Sequence, residues 1–163
     1  ADETLEWLLV EGHRVDFVDD MLYLEENGIG DVPAEERMDF VLENFEVSEQ
    51  EAQNYADWYN AFEEKGESVI AAWDYSRAMS LLGYYYLAGF YTQTEAVDAS
   101  YDLASVIKHE FDSWESFMES YLIGYEYWAE EGSEERRALY EEIKAASDSP
   151  YNLDWNLTFE KSW

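Results

Sequence analysis

The residues best placed to do chemistry are Trp73-Asp74-x-x-Arg77, in the least polar stretch of the chain. An Asp and an Arg at this spacing share a helix face and can pair. Inside an apolar helix such charges are costly unless matched, so the spacing predicts a buried Asp74–Arg77 pair that satisfies the core or orders nearby backbone. The same pair could instead hold a ligand. Around it the chain carries 14 tyrosines and 7 tryptophans, each ring with one polar atom. With Trp73, Asp74 and Arg77, the rings of Tyr84, Tyr121, Tyr125 and Trp128 are candidates for a pocket taking a cationic or sugar-like ligand. Amphipathic helix interfaces use the same rings for packing.

For catalysis the inventory is poor. There are 2 histidines, no cysteine, and no Gly-rich phosphate loop, nucleophile elbow or His-Glu-x-x-His. His109-Glu110 has no second histidine at ligand spacing. Carboxylates are so plentiful that some pair will lie close in any fold, so two neighbouring acids do not identify an acid-base site. Glu25-Glu26-Asn27-Gly28-Ile29-Gly30-Asp31 only faintly echoes a calcium loop. No catalytic residue, metal ligand or cofactor is assigned from the sequence. Binding is favoured over enzymatic activity.

The most unusual quantity is the charge: 9 basic against 39 acidic side chains, for a net charge of -30. Phosphate backbones are repelled, since a nucleic-acid binder needs a basic stripe and only Arg136-Arg137 approaches one. Anionic lipid surfaces are disfavoured for the same reason. A basic protein partner, a cationic ligand or divalent metal, or plain solubility remain. A folded monomer of this mass exposes roughly 8,400 Å², which spaces the net charges about 17 Å apart, near twice the ~8 Å physiological screening length. Repulsion is therefore tolerable in salt and grows at low ionic strength.

At 163 residues the chain suits one domain, and no apolar run reaches the 18 residues of a bilayer span. It begins Ala1-Asp2-Glu3 without a leader, as a mature or trimmed product would. The cytoplasm is the favoured compartment, with export behind a removed leader as the alternative.

Helical periodicity dominates the elements that must position these residues. After a short apolar start at Leu5, Trp7 and Leu8, a helix runs from His13 to Asn27 with Phe17, Met21 and Leu24 on one side, and Gly28-Ile29-Gly30 ends it. Pro33 precedes a second, through Met38, Val41, Leu42 and Phe45. Ser48 and Glu51 form a capping box that opens a third, closed near Gly66. Residues 67–91 are apolar all round, which places this helix at the centre of a bundle. Thr92 with Glu95, then Asp112-Ser113-Trp114-Glu115, open two more helices, and Trp114, Phe117, Tyr121, Tyr125 and Trp128 make the cleanest single-face stripe. Gly132 stops that helix. Ser133 starts a last, charged one to about Ala146, and an aromatic tail follows Ser149-Pro150. The expectation is an all-α fold: a single-domain, irregular bundle of about six or seven helices over residues 1–163. N-terminal helices occupy 1–66, and the central helix lies at about 67–91.

From Trp73 onward the residue order resembles a bacterial family catalogued as domain of unknown function 1266. The features that carry this are Ala72-Trp73-Asp74-x-x-Arg77, Gly83-Tyr84, Ala88-Gly89, Thr92-x-x-Glu95-Ala96, Ser113-Trp114-Glu115-x-Phe117, Tyr121, Gly124-Tyr125 and Trp128. The resemblance lies mainly over residues 69–128, with an extension to 155. It implies a helical domain and names no substrate. Charge and the thin catalytic inventory together lead to a non-enzymatic interaction protein engaging a basic partner. The alternative is a small-ligand-binding or enzymatic domain with its pocket on Asp74, Arg77 and the tyrosines.

Overall fold

A computed structural model describes residues 2–163, and among these there is no strand. Eight α-helices follow in order: α1 Asp2–Val10, α2 Gly12–Glu26, α3 Arg37–Asn44, α4 Glu49–Lys65, α5 Ser68–Leu87, α6 Gln93–Glu110, α7 Trp114–Ala129 and α8 Glu134–Ala145. Single 3₁₀ turns at Ile29–Asp31, Ala34–Glu36 and Pro150–Asn152 punctuate them. Helices α2 to α8 are the seven that periodicity predicts, and α1 adds an eighth from the short apolar start. No helix among the described residues is long and apolar enough to cross a membrane.

Local chemistry sets most of these boundaries. Ser48 and Glu51 form the expected capping box at α4, as do Thr92 and Glu95 at α6. Ser113 caps α7 with Ser116 as its reciprocal partner, so the box there uses a hydroxyl where a carboxylate is usual. Gly83 is carried inside α5, whereas Gly89, at φ +78, lies just past the end of that helix. Helix α7 stops at Ala129, ahead of Gly132, with Glu130 taking the left-handed conformation. Ser133 does not cap α8; its hydroxyl donates to Glu126 instead.

Helix α5 is the spine of the bundle, and two apolar clusters meet along it. Val69 and Ile70 pack with Phe17, Met21, Ile29, Val41 and Tyr59 from the N-terminal helices. From the next residues onward, Ala71, Ala72, Tyr75, Ala78 and Leu82 pack with Leu5 and Leu8 of α1 and with Leu103 and Ile107 of α6. Burying each large side chain contributes about 1.5–3 kcal/mol, so these clusters provide most of the driving force for assembly. The spine emerges at its C-terminal end: of Tyr84-Tyr85-Tyr86 only Tyr85 is buried.

Helix α7 approaches α5 closely because its facing residues are small. A Cβ on Gly124 would sit 2.4 Å from Trp73 Cβ, so only glycine fits there. One turn earlier, the Ser120 hydroxyl accepts from the Ala72 N–H at 3.1 Å and donates to the Ser68 carbonyl at 2.7 Å. It thereby bridges the two backbone groups that an undistorted helix joins directly. This contact holds Trp73 and the aromatic residues of α7 in register.

Candidate functional site

The carboxylate of Asp74 is fully buried, and its partners come from another helix. It accepts from the backbone N–H of His13 at 3.1 Å and of Arg14 at 3.3 Å, the second and third residues of α2. Glu11, the residue preceding α2, offers no side-chain cap. Asp74 therefore supplies from α5 the acceptor that a helix start needs, and its negative charge meets the positive end of the α2 dipole. His13 Nδ1 donates to the same carboxylate at 2.6 Å, and Arg14 Nε lies 3.4 Å from it.

Arg14 extends this network. Its guanidinium donates to the carbonyls of Leu8 at 3.2 Å and Leu9 at 2.9 Å, two of the unpaired acceptors at the end of α1. It also donates to the Tyr75 hydroxyl at 3.0 Å, which in turn donates to Glu110 at 2.8 Å. Burial, and then the hydrogen bond to Glu110, push the Tyr75 hydroxyl up to about 12. Helices α1, α2, α5 and α6 are thus tied through one buried polar chain.

These contacts correct the expected Asp74–Arg77 pair. Asp74 is saturated by His13 and Arg14, while Arg77 turns to the rings of Trp73 at 5.2 Å and Trp128 at 5.4 Å. The reason is geometric. Trp73 and Trp128 flank the outward side of Arg77, and Trp73 lies one turn before it, so stacking needs no desolvated charge. Asp74 faces the α1–α2 junction, where two backbone donors await it.

Beside that junction lies a cleft of about 410 Å³, between α1, α2, α5 and α7, with Trp7, His13, Trp73, Arg77, Tyr84 and Tyr121 among its lining. No Asp or Glu lines it. Of the residues that the sequence proposes, Trp73, Arg77, Tyr84 and Tyr121 meet in this cleft, and Asp74 stands behind its wall, in contact through His13. Tyr125 and Trp128 lie on the far side of Trp73, with ring centroids 5.8 and 5.3 Å from it. Tyr125 donates its hydroxyl to Glu131, and Arg136 stacks on its ring at 3.8 Å. Arg136 also donates to the Tyr121 hydroxyl at 3.0 Å.

Two cleft residues escape a reading of the sequence, Trp7 and His13, whose rings meet edge to face at 5.1 Å. Nδ1 of His13 is engaged by Asp74, so Nε2 is the ring nitrogen left for other contacts. The buried indole N–H of Trp73 has no acceptor among the described residues. Together the cleft offers the Arg77 cation, the outer ring nitrogen of His13 and a mainly aromatic wall. Among the described residues no group of three or more His, Asp or Glu is placed to hold a metal ion.

The family described as a protein of unknown function, DUF1266, matches residues 1–155. The chain belongs to that family. The DUF1266 match takes in α1 to α4 as well as the region from residue 69, so both sides of the Asp74 junction fall inside it. Among curated proteins and among solved structures nothing matches the chain.

Proposed function

We propose that this chain is a binding protein for a small molecule with a flat ring and an anionic group, held in the cleft beside the Asp74–His13 pair. The observation that carries this reading is the environment of Arg77. In a chain with 39 acidic side chains, Arg77 stands in a cleft lined by no carboxylate and makes no ion pair among the described residues. A guanidinium kept clear of acids and backed by rings is a receptor for a planar anion. The rings of Trp7, Tyr84 and Tyr121 supply stacking surface, and His13 Nε2 can hydrogen-bond a polar group of the ligand. The volume falls within the range of ordinary small-ligand sites.

A matched pair of ligands tests this. Indole-3-acetate and tryptamine carry the same ring with opposite charges, so calorimetric titration with each isolates the electrostatic choice. Binding of indole-3-acetate but not tryptamine, lost in Arg77→Gln without loss of fold, is the expected result. Tryptamine binding at least as tightly, or neither compound binding, would overturn the proposal.

A second reading rests on the net charge of -30 together with an apolar group at the end of α5. Leu87 is 78% exposed and Phe90 68% exposed, close to Tyr84 and Tyr86. Exposed apolar residues on a chain of such net charge suit docking of a basic protein, with charge steering the encounter. Pull-down from native lysate at low salt, against an equally acidic control, tests it: no basic protein in excess rejects this reading.

A further inference from the structure

A slot of about 500 Å³ runs between α5 and α6 beneath the C-terminal segment. Its walls are almost wholly apolar, with Met79, Ile107, Phe117, Trp155, Leu157 and Phe159 prominent. Specific bonds hold the roof. The Trp155 indole donates to the Phe111 carbonyl at 3.0 Å, the Trp114 indole to the Leu153 carbonyl at 2.9 Å, and Lys161 pairs with Asp98 at 2.7 Å. Leu157 and Phe159 lie past residue 155, where the family match stops.

One cation stands at this slot. Lys108 donates to the Leu157 carbonyl at 2.5 Å and lies 4.6 Å from the Phe159 ring centroid. It also lines an adjoining depression of about 570 Å³ that carries Lys65 and His109. The acids of that depression are already engaged. Glu110 accepts from Ser68 and Tyr75, Asp112 from Ser113 and Ser116, and Glu119 from Arg137. Asp154, at the slot itself, accepts from the Asn156 N–H at 2.9 Å. Neither Lys65 nor Lys108 makes an ion pair among the described residues, although acids outnumber bases 39 to 9.

We infer that the slot binds an unbranched alkyl carboxylate, its chain between α5 and α6 and its head at Lys108. An apolar trough with a single cation where it opens onto a polar depression is complementary to a long apolar chain ending in an anion. Contact with Lys108 is direct, whereas acids farther off than the ~8 Å screening length act on the head only weakly. The Met79 side chain is flexible enough to adapt to a chain's path.

Calorimetric titration of the full chain with laurate, dodecanol and dodecyltrimethylammonium tests the assignment. Laurate is expected to bind one-to-one and at least tenfold tighter than the trimethylammonium amphiphile. Lys108→Met should weaken laurate at least tenfold while leaving dodecanol unchanged. Ala104→Trp, which fills the slot from a half-buried helix position, should abolish both with the helical circular dichroism intact, and Arg77→Gln should alter neither. No saturable binding of laurate, binding indifferent to Ala104→Trp, or a preference for the cationic head would overturn the proposal.

Discussion

Gly12 and Asp74 meet so closely that a Cβ at position 12 would lie 2.3 Å from Asp74 Oδ2. Gly12 also holds φ at +62, a conformation that side chains resist. Sixty-two residues apart in sequence, the two form one device: glycine at the start of α2 lets a carboxylate from α5 reach the exposed N–H groups of that helix.

Gly12→Ala is therefore expected to cost at least about 2 kcal/mol, from left-handed strain added to displacement of the carboxylate. Asp74→Ala removes the acceptor and leaves Arg14 buried without its counter-charge, a loss of about 3–5 kcal/mol. Urea unfolding of both variants checks these values. Wild-type stability in either one would rule out the capping role.

Arg77→Ala is expected to behave differently. Its guanidinium is exposed and stacks on two rings, an interaction contributing about 0.5–1 kcal/mol. The fold should survive with a small drop in melting temperature. A loss as large as that of Asp74→Ala would restore the ion pair that the Trp73-Asp74-x-x-Arg77 spacing suggests.

Tyr75 sets an alkaline limit. Its hydroxyl is raised from 10.0 to about 12 in the fold, so between those values the unfolded chain has released a proton that the folded chain retains. Stability contributed by the neutral hydroxyl is complete below pH 10 and is lost as pH rises toward 12. Tyr75→Phe should lower the melting temperature near neutrality, by leaving Arg14 and Glu110 short of a partner, and should flatten the decline above pH 10. Parallel melts from pH 8 to 12 measure both effects. An equally steep decline in the variant would remove Tyr75 from the account.

The melting temperature should rise with added monovalent salt. The folded surface of 10145 Å² carries a net charge of -30, about 18 Å between charges, so repulsion is felt at ~0.01 M ionic strength and screened at physiological strength. A flat series across that range would contradict the expectation.

Much of the architecture is legible in local chemistry. Ser48 with Glu51 and Thr92 with Glu95 are capping boxes because the groups that bond are three residues apart, whatever the rest of the chain does. The apolar circumference of residues 68–82 likewise requires a buried helix. The lining of the candidate cleft was legible in part. Trp73, Arg77, Tyr84 and Tyr121 do line one cleft, but Trp7 and His13 belong to α1 and α2, and no spacing connects them to residue 73.

What the chain's own order determined, then, was where locally capped helices such as α4 and α6 begin and which helix must lie inside, because both follow from contacts within a few residues and from the balance of apolar to polar surface. Only the tertiary structure decided the partner of Asp74. On its own helix the acid had an arginine one turn away; across the bundle it had two unpaired backbone donors and a histidine. The donors at the start of α2 would otherwise be buried without an acceptor, and that cost exceeds the gain from an ion pair at a solvent-facing arginine.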